Sequence, residues 1–141
     1  MEEETIKRVM TKYRELIPKE IFSRELEVYE SKTKKANVIV GPRRAGKTYF
    51  LYSLVKNQKN PIIINFEDNL LVGLNNQSLN KIPDYAKELF GKENLCFFFD
   101  EIQNIDGWEK LVTSLLNEGY KIYVTGSNSK LLSKEIATSL R

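Results

Sequence analysis

The feature that most constrains the fold is a change of pattern near residue 41. Asn37-Val38-Ile39-Val40 is a short, mostly β-branched apolar run. It passes directly into Gly41-Pro42-Arg43-Arg44-Ala45-Gly46-Lys47-Thr48, after which Tyr49, Phe50, Leu51, Leu54 and Val55 recur at helical spacing. A buried strand, a glycine-containing turn and a helix, in that order, start a parallel α/β arrangement. The turn fits the pattern G-x-x-x-x-G-K-[ST]. Glycine lets backbone N–H groups turn inward around an anion with no Cβ in the way. The N-terminus of the following helix adds partial positive charge. Lys47 supplies an ammonium for the β- and γ-phosphates of a nucleotide, and the Thr48 hydroxyl supplies a ligand for Mg2+. Gly41, Pro42, Arg43, Arg44, Ala45, Gly46, Lys47, Thr48 and the adjoining Tyr49 are therefore the expected nucleotide-binding residues. Arg43 and Arg44 suit a phosphate, a neighbouring subunit or plain solvation equally.

The rest of the chain continues the alternation. Ile6, Val9, Met10, Tyr13, Leu16 and Ile17 predict a helix over residues 5–17, ended by Pro18. A second short helix is expected over 19–29, and the polar, basic stretch Ser31 to Lys35 reads as a loop. Asn60-Pro61 breaks the helix that follows the phosphate turn. Ile62 to Phe66, Leu95 to Phe99 and Lys121 to Thr125 read as strands. Residues 69–81 read as a surface loop with a short helix. Further helices are expected at Tyr85 to Phe90, around Trp108, Leu111, Val112, Leu115 and Leu116, and at Leu131 to Leu140. Strands alternating with helices predict a parallel sheet with helices on both faces. Runs such as Cys96-Phe97-Phe98-Phe99 agree, because strands covered on both sides carry no polar alternation.

Composition narrows the function classes. The chain has 141 residues, of which 41% are hydrophobic and 29% charged, as in one globular domain or part of a larger one. A net charge of +3 does not establish a nucleic-acid footprint. Cys96 is the one cysteine, so no internal disulfide forms; in its apolar run it reads as a buried small hydrophobe, and a reducing cytoplasm is the natural compartment. The absence of histidine excludes His-based acid–base catalysis and His-ligated zinc. No apolar run has the length of a membrane helix.

A second motif adds chemistry. Phe97-Phe98-Phe99-Asp100-Glu101 is a hydrophobic strand ending in two carboxylates. Asp100 is the expected holder of the Mg2+ shell. Glu101 is the expected general base, orienting and polarising an attacking water. A carboxylate placed for water favours hydrolysis over transfer to a small molecule. No N-K-x-D guanine motif is present, and Asn128-Ser129-Lys130-Leu131 does not fit one, so ATP is favoured over GTP. Polar residues follow the Lys121 strand. Asn128 first, and Ser127 second, suit a hydrogen bond to the γ-phosphate or the attacking water; either suits a helix N-cap as well. Asp106 reads as the N-cap of the Trp108 helix, with Glu109 completing a capping box. Glu67 and Asp68, after the second strand, read as solvated loop residues, with a place near Mg2+ as the alternative.

Taken together, GPRRAGKT, FFFDEIQNIDGWEKLV and YKIYVTGSNSKLLSKEIATSLR resemble the AAA+-superfamily P-loop ATPases of archaea and bacteria. The resemblance implies an ATPase core over residues 37–141 preceded by an N-terminal helical segment, 1–36. It implies the sheet order 1-4-3-2, with a fifth strand and a helical lid expected beyond Arg141, itself a match for a family arginine near the nucleotide. ATP and Mg2+ are the implied cofactors, and Lys47, Glu101 and Asn128 the implied catalytic set. Without the fifth strand the Asn37 strand is expected to be an open edge, either pairing with a second chain or covered by the helices of Ile6 to Tyr29. The alternatives to a working ATPase are a slow nucleotide-dependent switch and a DNA-associated ATPase, the latter resting on Lys32 to Lys35 and mild basicity.

Overall fold

In the computed structural model the described residues are 2–16, 37–40 and 47–126, without the side chains of residues 40, 47–50 and 76. The expected helices at 19–29 and 131–140, the turn residues Gly41 to Gly46, and Ser127, Asn128 and Arg141 lie outside them. The elements are α1 Glu2–Glu15, β1 Asn37–Val40, α2 Lys47–Val55, β2 Asn60–Asn65, α3 Asn76–Asn80, α4 Ile82–Phe90, β3 Leu95–Asp100, α5 Trp108–Asn117 and β4 Lys121–Gly126. Short 3-10 helices occupy Asn69–Leu71 and Ile102–Asn104.

The strands form one sheet in the order β1-β4-β3-β2, and every neighbouring pair is parallel. This is the expected order. Every residue of β3 is buried, so both faces of the sheet's middle are covered. Phe98 lies opposite Tyr123 in the register, and their rings stack at 4.9 Å with 2° between planes. α2 packs against β3 and β4, and α5 against β4. Leu51, Leu54 and Val55 from α2, with Leu111, Val112, Leu115 and Leu116 from α5, join the strands in one core.

Boundaries moved where local chemistry outweighed pattern. α1 starts at Glu2 because Glu2, Glu3 and Glu4 complement the positive end of the helix, as Lys12 and Arg14 complement its last turn. Asn60 and Pro61 open β2 instead of merely ending the preceding helix. β2 is an edge strand, so a residue with no N–H costs the ladder little. The Asn60 amide ties that start down by donating to Phe90 O and Glu93 O, both at 3.0 Å. β2 stops at Asn65, and Phe66 beyond it packs edge-on against Phe99 at 5.3 Å. The expected cap at Asp106 is not formed. Gly107 is the N-cap of α5, at φ 78°, with no side-chain cap bond, and Asp106 is exposed. A left-handed glycine, which needs no Cβ accommodated there, takes the N-cap position in place of Asp106.

Of the helices of Ile6 to Tyr29 expected as one possible cover for the open side of β1, α1 does not lie there, and residues 17–36 fall outside the described set. α1 packs instead on β2, α4 and the Asn69–Leu71 turn. Ile6, Val9 and Met10 face the core at helical spacing, and the polar partners lie on that side too. Arg14 Nη1 donates to Asn60 Oδ1 at 2.9 Å, and its guanidinium lies 4.4 Å from the Phe90 ring centre. Among the described residues β1 pairs with β4 alone, and Val38 is 40% exposed.

Asp68 is likewise not a solvated loop residue. It receives Lys12 Nζ at 2.6 Å and Tyr13 Oη at 2.8 Å on Oδ2, and the Leu70 N–H at 2.9 Å on Oδ1. Burial pushes its carboxyl up, but the Lys12 ammonium, the Leu70 N–H and the Tyr13 hydroxyl together hold it below the usual carboxylate value. A depressed pKa contributes stability that is present above the unfolded value, about 4, and is lost as pH falls through the lower folded value. Tyr13→Phe should therefore lower the unfolding free energy at pH 7 by about 1.5–3 kcal/mol, the range for a hydrogen bond to a charged group. Urea titration should show that difference shrinking once Asp68 is protonated. A difference that is absent at pH 7, or independent of pH, would detach Tyr13 from this role.

Candidate functional site

The site is built from the carboxyl end of β3 outward. Phe97, Phe98 and Phe99 are fully buried and fix the strand, so Asp100 and Glu101 emerge where parallel sheets place their ligands. Both carboxylates are sequestered: Asp100 is 2% and Glu101 7% exposed. Buried carboxylates need partners; β4 supplies one for Asp100 and also ties down the Glu101 backbone. Thr125, wholly buried, donates its hydroxyl to Asp100 Oδ1 and accepts the Glu101 N–H at 3.0 Å. The register explains the meeting: Phe99 pairs with Val124, so Thr125 falls level with Asp100.

Glu101 leaves the strand in a left-handed conformation, φ 55° and ψ 49°. For a residue with a Cβ this costs about 1–2 kcal/mol. Several contacts hold it there. Its N–H is on Thr125, its carbonyl accepts from Asn104 N at 3.3 Å and Asn104 Nδ2 at 3.1 Å, and its Oε2 accepts from Gln103 Nε2 at 2.6 Å. The kink turns the Glu101 side chain away from the strand direction and over the Ile102–Asn104 turn. The Asp100 carbonyl, on the other side, accepts the Phe66 N–H at 2.9 Å, which locks β3 to the chain leaving β2.

α2 approaches the same end of the sheet. β1 ends at Val40 and α2 begins at Lys47. Val40 pairs with Gly126, which sets the end of β1 beside the end of β4. Burial, and then the Asp100 charge, push the Tyr52 phenol up, so the field of Asp100 reaches α2. The Tyr13 phenol is raised too, by burial first and then by Asp68, with Tyr52 and Asp100 contributing less.

Asp100 and Glu101 are thus where the sequence put them. Lys47, Thr48 and Tyr49 are the opening residues of α2, and their side chains lie outside the described set, as do Gly41 to Gly46 and Asn128. Sequence reasoning passed over Thr125, Gln103, Asn104 and Tyr52. Thr125 had a signal: it is the polar residue inside an apolar strand that ends level with the acidic pair. Gln103 and Asn104 had none beyond proximity, because a left-handed Glu101 is invisible in sequence.

Mg2+ prefers oxygen ligands and is usually held by one or two carboxylates with phosphate oxygens and water. Asp100 offers such an oxygen at the sheet end where α2 begins. Among the described residues no trio of His, Cys, Asp or Glu forms an all-protein cage. The donors fit an ion shared with a phosphate ligand. Cys96 is buried, and among the described residues no helix is long and apolar enough to cross a membrane.

A parallel sheet in this order, flanked by helices and carrying the glycine–lysine motif after its first strand, is the α/β fold of a P-loop NTPase-like domain. Residues 33–141 match the family described as AAA domain, and the chain belongs to that family of nucleotide-binding, ATPase-type domains. It is similar to an uncharacterized protein of Methanocaldococcus jannaschii, 46% identical over 123 residues, which are 86% of this chain and 27% of the relative. It is also similar to an uncharacterized protein of Haemophilus influenzae, 34% identical over 116 residues, covering 73% of this chain and 28% of that protein. The chain spans about a quarter of the length of these curated relatives.

Proposed function

We propose that this chain binds ATP with Mg2+ and hydrolyses it, as the nucleotide-binding core of a AAA+-type ATPase. The observation that carries the reading is the buried Asp100–Glu101 pair, bridged by Thr125 at the sheet end where α2 starts with Lys47-Thr48. Membership of the AAA domain family supports it. Lys47 and the turn from Gly41 to Gly46 hold the phosphates. Thr48 and Asp100 would hold Mg2+, which would supply positive charge to offset that of the phosphates. Glu101 takes a proton from water as its oxygen bonds to the γ-phosphorus and the bond to the departing ADP oxygen breaks. Asn128 hydrogen-bonds the γ-phosphate or that water.

Calorimetric titration of this chain with ATP, with Mg2+ and with the ion chelated, tests the binding half. Saturable binding strengthened by Mg2+ is expected; no binding in either condition would overturn the reading. Phosphate release by the intact protein tests the second half.

A further inference from the structure

The Thr125 hydroxyl donates to the Asp100 carboxylate and accepts from the Glu101 backbone N–H, and the residue is wholly buried. We propose that Thr125 is a positioning residue that presents the Asp100 carboxylate to Mg2+ and holds Glu101 in its left-handed turn; this rests on the nucleotide-binding reading above. The donor face fixes the rotation of the carboxylate, because Thr125 donates to Oδ1 specifically. The acceptor face takes the Glu101 N–H at 3.0 Å, which holds that peptide where φ reaches 55°. One side chain on β4 therefore sets the aim of one carboxylate and the exit of the next. A β-branched residue suits the task, since its χ1 is restricted by the strand around it.

Valine keeps the shape and branching of threonine and removes the hydroxyl; serine keeps the hydroxyl and removes a methyl. The two substitutions separate positioning from packing. With the chain itself, ATP affinity is measured by calorimetry with Mg2+ and with the ion chelated. The parent gives the gain in affinity due to Mg2+. Thr125→Val should leave the Mg2+-free affinity unchanged and reduce that gain about tenfold or more, as expected for losing one hydrogen bond to a charged group. Thr125→Ser should restore the gain. In the intact protein, the Mg2+ concentration that half-saturates phosphate release should rise in the same variant.

The outcomes are distinct. A parent with no Mg2+-dependent gain sinks the nucleotide reading itself. A parent with a gain that Thr125→Val retains in full overturns the positioning role alone. Equal loss of affinity with and without Mg2+ also overturns it, since that is damage to the fold. If the valine variant does not fold, Thr125→Ala supplies the same comparison. Failure of both to fold, with serine folded, reduces Thr125 to a structural residue and overturns the proposal.

Discussion

Lys47→Ala should cost this chain about a hundredfold or more of its Mg-ATP affinity, because an ammonium between two phosphates makes charge-assisted hydrogen bonds of about 1.5–3 kcal/mol each. The placement of Lys47 makes the variant easy to interpret. It is the first residue of α2, which begins at the carboxyl end of β1, beside the end of β4. Alanine is the stronger helix former, so the helix and the core contacts of Leu51, Leu54 and Val55 should survive, and the thermal midpoint without nucleotide should match the parent's. Arginine should not rescue, since a planar guanidinium fork and a compact ammonium are not interchangeable. Equal calorimetric affinity in Lys47→Ala and parent would remove the phosphate role from this motif.

How far the sequence leads depends on which forces act locally. The strands and their order were legible because β3 and β4 are continuous apolar runs and the motif after β1 ties this chain to a fold with a known order. The acidic pair was legible because Asp100 and Glu101 end such a run. What escaped depended on long-range partners or on backbone hand. Asp68 looked like a solvated loop residue because its donors, Lys12 and Tyr13, arrive from α1, more than fifty positions away. The same pairing draws α1 to the β2 side of the sheet and away from the β1 edge, which periodicity alone does not foresee. Asp106 looked like a cap because its neighbours spell a capping box, yet a left-handed Gly107 makes the turn instead. Thr125 was visible as a residue but not as a bridge, because its role depends on the register that sets it level with Asp100.

Register also decides what Glu101 can do. A carboxylate at the end of a straight strand would stand roughly perpendicular to the sheet, on one of its faces. The left-handed turn at Glu101, held by Thr125 and Asn104, redirects it, and Gln103 Nε2 fixes one oxygen at 2.6 Å. Such a carboxylate is restrained before any ligand arrives, as expected of a base that must meet a water in one orientation. Glu101→Gln keeps the size of the side chain, the left-handed cost and an oxygen to accept from Gln103. It removes the ability to take a proton. ATP affinity should therefore stay close to the parent's, while single-turnover phosphate release in the intact protein should slow by ~10²-fold or more, the scale of a positioned general base. Glu101→Asp keeps the carboxylate but withdraws it from Gln103, so it should fall between the two. A glutamine variant that releases phosphate at the parent rate would take Glu101 out of the chemistry and leave its contacts with Thr125, Gln103 and Asn104 as structure alone.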